Sequence, residues 1–258
     1  MAKYKNYVIF FLDILGFKEI IDNNRITVDE MLNKFDKAEY HLDYTKWINK
    51  RKNDEQRWID NEVINYLQVS DSIILSFPIE TPSGLFYSIL DVMRLQANFA
   101  ALHGIFLRGA CTYGKLYHRD TTIFGPAMNK VVSMEKVAKY PRVIIPNKVI
   151  TECSKYSSNF HYTNIDEKND IIHCLKMDSD GYYYIDYISY DTFGYETDSN
   201  EEWADYITRL KKRIQDGLYE QVALDKYMWL KEKYNNAITD NIIRNYREKD
   251  DIILSRIE

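Results

Sequence analysis

One apolar run that ends in an acid constrains this chain more than any other feature. Residues 7–12 are apolar without interruption and lead into Asp13, and Gly16 precedes a helical pattern over residues 18–22. A short apolar run of this kind predicts a strand that is buried on both faces of a sheet. Asp13 then lies where the strand leaves the sheet, close to a glycine that lets the backbone approach a ligand. We therefore expect Asp13 either to cap the following helix or to bind a metal ion.

A second acid lies in a predicted hairpin. Two β-rich apolar runs within residues 63–77 flank Ser70-Asp71-Ser72, which predicts a tight connection between two strands. If this hairpin lies beside the first strand, Asp13 and Asp71 meet at one edge of the sheet, where a divalent cation relieves their mutual repulsion. Oxygen ligands with no His or Cys nearby suit magnesium or manganese rather than zinc. The two acids together favour the metal-binding interpretation over the helix cap.

The remainder of the chain predicts an α+β fold. We expect helices over 28–50, 85–102, 126–139 and 148–155, and further strands over 105–117, 121–124, 142–145, 171–177 and 182–189. The succession of strand, helix, two strands, helix and strand is what a ferredoxin-like antiparallel sheet requires. Residues 201–258 have a helical pattern. We therefore divide the chain into a sheet domain, residues 1–190, and a C-terminal helical extension, residues 191–258, that packs on the core or on a second subunit.

Composition argues against several functional classes. A formal net charge of -5 gives no basic surface for sequence-independent binding of nucleic acid. No apolar run approaches the roughly 20 residues that span a bilayer, and the charged-then-apolar pattern of a secretory leader is not found, so we expect none. The three cysteines fit no metal-binding spacing, so we expect a reduced protein in the cytoplasm. Neither a membrane nor a nucleic acid is an expected partner.

Several stretches in order resemble the nucleotidyl cyclase homology domain, the fold of adenylate and guanylate cyclases. The first metal motif of that family is matched by residues 13–17, and the second by Asp71, with Ser70 where a glycine is usual. A strand with an arginine and a glycine six residues later is matched by Arg108 and Gly114. The family's asparagine-bearing helix is echoed over residues 125–135. These matches run through residues 7–155, and their order makes the set more specific than any single motif.

Departures from the family pattern bear on the substrate. Ser133 stands where the transition-state arginine of the family would be. Leu67 and Thr122 occupy two positions that read the base in purine cyclases, so nothing there is suited to select adenine or guanine. Residues 107–114, 182–187 and 226–235 are similar to the pyrimidine cyclases of bacterial anti-phage Pycsar systems. This resemblance implies a cyclic UMP or cyclic CMP signal, made on infection, that activates a separate effector protein.

The resemblance also implies a role for each candidate residue. Asp13, Asp71 and the backbone of Ile14 would bind two Mg²⁺ or Mn²⁺ ions, which hold a nucleoside triphosphate. The phosphates would be cradled by four consecutive backbone amides, those of Ile14, Leu15, Gly16 and Phe17.

Asn129 would orient the ribose. Arg108 would contact a phosphate, although an arginine in a strand can equally face a structural carboxylate. Because the family builds its active site across a two-fold interface, a homodimer is implied, in which Asp13 and Asp71 of one subunit meet Asn129 of the other.

Three functions remain open. The favoured one is a metal-dependent pyrimidine nucleotide cyclase, which converts UTP or CTP to the 3′,5′-cyclic monophosphate and pyrophosphate. The second is a purine cyclase, against which the missing base-reading pair counts. The third is a catalytically silent cyclase-fold module that binds nucleotide or only dimerises, for which Ser133 is the best argument. Retention of both Asp13 and Asp71 argues against this third function.

Overall fold

A computed structural model describes residues 3–22, 27–31, 33, 65–157, 164–193, 199–221, 223–250 and 253–258. Its strands are β1 (Lys5–Ile14), β2 (Asn65–Val69), β3 (Ser72–Pro78), β4 (Leu107–Arg119), β5 (Thr122–Phe124), β6 (Val143–Ile145), β7 (Leu175–Met177) and β8 (Tyr183–Ile185). Its helices are α1 (Phe17–Asp22), α2 (Gly84–Asn98), α3 (Pro126–Ala138), α4 (Asn147–Cys153), α5 (Asn164–His173), α6 (Asn200–Glu220), α7 (Leu224–Ala237) and α8 (Asp240–Asp250). A π-helical turn, Phe99–His103, continues α2. Most of the predicted helix over 28–50 lies outside the described residues.

The strands form one sheet with the order β2-β3-β1-β4-β6-β8-β7, and β5 pairs with β4. The pairs among the first four strands are all antiparallel, and with α1 and α2 these strands have the ferredoxin-like succession and order. The β4–β6 pair is parallel. The predicted fold class is therefore confirmed: an α+β fold with a ferredoxin-like sheet and C-terminal helices.

The central strand β1 is covered on both faces, which explains its unbroken apolar sequence. Val8, Phe10 and Leu12 belong to the larger core cluster, which also contains the apolar side of α2. Ile9 belongs to a smaller cluster with residues of α3 such as Val131. Side chains alternate along a strand, so Asp13 follows Ile9 on the face that α3 covers.

The C-terminal helices share the larger core with the sheet. Trp203 and Ile207 of α6 and Leu230 and Tyr234 of α7 belong to the same cluster as the buried face of β1. The predicted helical stretch is interrupted at Gln221, whose backbone is left-handed with φ 57°. The domain boundary after residue 190 stays a prediction. None of the helices among the described residues combines the length and the apolar character that crossing a bilayer requires.

Two predicted strands are shorter in the structure. Residues 171–173 complete α5, so the strand predicted over 171–177 begins at Leu175. Ile171 follows the buried Glu167 by four residues, which is the spacing of one helix face. The strand predicted over 182–189 ends at Ile185, because the Asp186 side chain accepts hydrogen bonds from two backbone amides that follow it and turns the chain.

Gly109 of β4 provides a test of this packing. A Cβ atom at this position would lie 2.3 Å from the carbonyl oxygen of Phe11 in β1, and neither backbone can move without disturbing the ladder. We expect Gly109→Ala to lower the free energy of unfolding by about 3 kcal/mol, measured by chemical denaturation. The control is Gly181→Ala, where a Cβ meets nothing within 4 Å but φ is +81°; this should cost about 1 kcal/mol. A larger loss at Gly181 than at Gly109 would contradict the packing described.

Candidate active site

The register of the sheet brings the two predicted acids together. Asp13 pairs with Ser72 of β3, the residue that follows Asp71. The Ile14 amide donates a hydrogen bond of 3.0 Å to the Asp71 carbonyl oxygen, and after burial the charge of Asp71 is the largest influence that raises the pKa of Asp13. The structure thus places the two carboxyl groups side by side at one end of β1, as the hairpin argument predicts.

A single guanidinium group joins this pair to a third carboxylate. Arg108 pairs with Asp13 across the β1–β4 ladder, and its Nη2 lies 3.1 Å from Asp13 Oδ2. Its Nε lies 2.5 Å from Oε1 of Glu135, a buried residue of α3. Of the two roles open to Arg108 in the sequence, the structure shows the carboxylate partner.

The charges around Asp13 are unbalanced. Burial raises the pKa of Asp13 to about 6, with further increases from the charges of Asp71 and Glu135 and from a hydrogen bond with Asp71, while Arg108 acts in the opposite direction. Asp13 and Glu135 thus share the Arg108 guanidinium, and Asp71 adds a third negative charge beside them. An additional cation at this place would relieve the repulsion that remains.

Asp13 and Asp71 provide part of a ligand set for magnesium or manganese. Asp13 and Asp71 offer hard carboxylate oxygens, which these ions prefer. Among the described residues, no group of three or more His, Cys, Asp and Glu side chains is arranged to hold a metal ion. Ions at this pair would therefore need further ligands from water, from the substrate phosphates and from backbone such as the Ile14 carbonyl.

The turn between β1 and α1 corrects one prediction. The Ile14 amide donates to Asp71, and the Leu15 amide donates to the Phe106 carbonyl oxygen at 2.9 Å. These two N–H groups are used by the fold and are not available to cradle phosphates. Gly16, at φ 73°, and Phe17 remain as the candidate donors from this turn.

Asn129 faces away from the Asp13 of its own chain. It precedes Glu135 by six residues on α3, which turns its side chain by about 120° around the helix axis. Glu135 is buried whereas Asn129 is exposed. Ser133 is exposed as well, and its hydroxyl donates a hydrogen bond of 2.9 Å to the Asn129 carbonyl oxygen.

The two predicted base-reading positions are far apart in the sheet. Leu67 lies on β2, where it packs against the smaller core cluster. Thr122 is exposed on β5, which pairs with β4. Strands β3, β1 and β4 lie between β2 and β5, so a single chain does not bring the two side chains together through the sheet.

Sequence reasoning assigned no role to Glu135, although a signal was present. Glu135 lies among the buried residues of α3, with Ala127, Val131 and Ala138, and an acid on an apolar helix face requires a partner. Arg142 was likewise missed. It is 1% exposed and lies four residues after the last residue of α3, Ala138.

Comparisons with known proteins give a fold-level likeness only. No family model matches the chain, and no curated protein matches it. Among solved structures, it is similar to the adenylyl cyclase CyaB from P. aeruginosa at 14% identity, over 59% of this chain and 82% of that chain, with a TM-score of 0.41.

Two further structures are similar to a comparable degree. The monomeric guanylyl cyclase domain of the RhoGC fusion protein from the aquatic fungus Blastocladiella emersonii has 14% identity over 71% of this chain and 96% of that chain, with a TM-score of 0.44. The catalytic core of a rhodopsin-guanylyl cyclase with converted specificity, in complex with ATPalphaS, has 12% identity over 71% and 96%, with a TM-score of 0.45. At this level of likeness the neighbours decide neither the family nor the activity of this chain.

The raised pKa of Asp13 makes a prediction about stability. Between its ordinary value of 3.8 and about 6, the folded protein binds more protons at Asp13 than the unfolded chain does. The stabilisation from Asp13 is thus complete below pH 3.8 and is lost as the pH rises through about 6. In metal-free buffer at pH 7 we expect Asp13→Asn to raise the free energy of unfolding by about 1 kcal/mol after solvent screening, with no gain near pH 3.5.

Denaturant unfolding across this pH range measures the effect. Asp216→Asn, a substitution on the exposed side of α6, is the control for the loss of one negative charge. A stability difference between Asp13→Asn and wild type that is constant with pH would show that the site does not perturb this carboxyl group.

Proposed function

We propose that this protein is a metal-dependent nucleotide cyclase that acts on a pyrimidine nucleoside triphosphate, UTP or CTP. The observation that carries the proposal is the placement of Asp13 beside Asp71 in an acidic site at the end of the central strand. The order of the sequence motifs and the α+β fold support it. The cyclic product would serve as a second messenger in anti-phage defence in the cytoplasm, read by a separate effector protein.

The proposed reaction needs positioning more than it needs covalent chemistry. The 3′-oxygen of the ribose bonds to the α-phosphorus, the bond from that phosphorus to the pyrophosphate oxygen breaks, and the 3′-hydroxyl proton is released. Bound Mg²⁺ or Mn²⁺ would supply charge neutralisation at the phosphates. The chain itself contributes a held triphosphate and a fixed approach of the 3′-oxygen.

Each residue of the site has a defined part in this proposal. Asp13 and Asp71 would hold the cations, and the amides of Gly16 and Phe17 would bind phosphate oxygens. Arg108 acts through Asp13, because its guanidinium is 3.1 Å from that carboxylate and limits its rotation. Asn129, which faces away from its own site, would orient the ribose bound to the partner subunit of a homodimer.

One alternative is favoured by a specific observation. Ser133 offers no positive charge, and its hydroxyl is bonded to the Asn129 carbonyl oxygen. Arg108 is already paired with carboxylates. A module that binds a nucleotide without turning it over, or that only dimerises, is the second candidate on these grounds. A purine cyclase would carry out the same reaction on ATP or GTP, and the activity test below distinguishes it from a pyrimidine cyclase.

The first test is turnover by the full chain with Mn²⁺ and each of the four nucleoside triphosphates. We expect pyrophosphate and a cyclic product from UTP or CTP, and at least about a hundredfold loss in Asp71→Asn, because one of the two cation ligands is gone. Asp216→Asn is the charge-matched control and should retain activity. Circular dichroism verifies that the variants are folded. A fully active Asp71→Asn variant would refute the metal assignment, and turnover of ATP or GTP alone would refute the pyrimidine assignment.

The second test addresses the shared active site. Asp71→Asn and Asn129→Ala should each be inactive alone, since each removes one half of every site. When the two variants are mixed in equal amounts and exchange subunits, half of the dimers carry one intact site. Activity should then recover to about a quarter of the wild-type value. If the mixture stays inactive while native mass spectrometry shows that mixed dimers have formed, both residues act within one chain.

A further inference from the structure

The end of helix α3 is held in a strained turn. Lys139 has φ 51° and ψ −53°, and the Tyr140 amide donates a hydrogen bond of 2.5 Å to the Ala138 carbonyl oxygen. This is a γ-turn of the rare hand, which is unfavourable for a residue with a side chain. Such a conformation persists only where the surrounding structure holds it in place.

Helix α7 of the C-terminal extension provides one side of that support. The Tyr140 ring stacks on the Trp229 ring with a centroid distance of 5.7 Å and an interplanar angle of 6°. Lys139 also forms an ion pair with Asp225 at 3.4 Å, but both partners are about half exposed and the pair contributes little. The aromatic stack is therefore the stronger of these two contacts.

Arg142 connects the same turn to α7 through buried polar contacts. Its Nε donates to the Ala138 carbonyl oxygen at 3.1 Å, and its Nη1 donates to Asp178 Oδ2 at 2.6 Å. Asp178 in turn accepts hydrogen bonds from Trp229 Nε1 at 2.8 Å and from Lys233 Nζ at 2.9 Å. A second carboxylate, that of Asp180, also pairs with the Arg142 guanidinium. We call Arg142, Asp178, Trp229 and Lys233 the α7 clamp.

The α7 clamp reaches both elements that carry the Arg108–Glu135 ion pair. The Arg142 carbonyl oxygen accepts a hydrogen bond of 2.9 Å from the amide of Gly109, the neighbour of Arg108 in β4. Glu135 lies less than one helical turn before Ala138, whose carbonyl oxygen the Arg142 side chain holds. Arg142 therefore connects α7 to both α3 and β4.

We infer that the α7 clamp positions the candidate active site, with Arg142 and Trp229 as positioning residues that act through Glu135. If these contacts loosen, Glu135 moves away from Arg108. The Arg108 guanidinium then pairs with Asp13 alone. A guanidinium paired with Asp13 alone competes with a bound cation for the same oxygens. The C-terminal extension would thus set how well the site binds metal. This inference rests on the metal site of the proposed function.

A double-mutant cycle on the full chain tests the route through Glu135. Binding of Mn²⁺ alone, without nucleotide, is measured by electron paramagnetic resonance for Trp229→Phe, Glu135→Gln and the combined variant. Trp229→Phe keeps a ring for Tyr140 but loses the hydrogen bond to Asp178. We expect the dissociation constant to rise about threefold in Trp229→Phe and about tenfold in Glu135→Gln, with the combined variant close to Glu135→Gln alone.

A second pair of variants is the control for a folding defect caused by the change at Trp229. Lys233→Met keeps the aliphatic stem but removes the ammonium group that Asp178 accepts from, and it should weaken Mn²⁺ binding as Trp229→Phe does. Lys231→Met, on the same helix and outside the clamp, should leave binding unchanged. Thermal unfolding of each variant confirms a cooperative fold.

The outcomes separate this inference from the proposed function. Effects that multiply in the combined variant would overturn the positioning role and leave the metal site standing, because a general loosening of the fold does not depend on Glu135. Wild-type protein that binds no Mn²⁺, either alone or with a non-hydrolysable pyrimidine nucleoside triphosphate, would overturn the metal site and the inference together. Coupled effects on Mn²⁺ binding without any cyclic product would support the positioning role while the cyclase proposal fails.

Discussion

The interaction on which the site depends is the sharing of one guanidinium among carboxylates. Arg108 reaches Asp13 from the next strand and Glu135 from the covering helix, so it joins β1, β4 and α3 at one point. Asp71 adds a further negative charge beside Asp13, and after burial this charge is the largest influence that raises the pKa of Asp13. A fold that gathers acids in this way tolerates the repulsion only with a cation present or with a proton on one of them. In the proposed function, this excess of negative charge binds the metal ions.

The central position of β1 explains why the acids meet. Its neighbour β3 pairs with residues 7–13 and its neighbour β4 pairs with all of Lys5–Ile14, and a slip of one residue would move every side chain of β1 to the opposite face. Because both faces are buried, the register is strongly determined by packing. Asp13, at the end of this strand, therefore has little positional freedom relative to the β2–β3 turn. The precision of the pair comes from the core rather than from the site itself.

The sequence predicts the parts of the structure that have a local pattern. The apolar run before Asp13 and the Ser70-Asp71-Ser72 turn predict the placement of both acids, and the helix that begins after Gly125 is found nearly as predicted. Contacts between distant residues could not be predicted. Nothing near Ile14 or Leu15 in the chain shows that Asp71 and Phe106 accept from their amides. The partners of Arg142, in a turn and a helix far along the chain, likewise depend on tertiary packing.

The position of Ser133 makes the metal-binding acids more important to the proposed chemistry. Its hydroxyl is directed to the Asn129 carbonyl oxygen, and the nearest guanidinium of the site, that of Arg108, is held between Asp13 and Glu135. Neither side chain brings a positive charge that is available to a phosphate. Charge that develops on the transferred phosphorus would then be met chiefly by cations at Asp13 and Asp71, since electrostatic stabilisation is the largest single contribution in reactions of this kind. A chain with this arrangement is more sensitive to the geometry of its carboxylates than one that carries an arginine on α3, and the α7 clamp acts on that geometry.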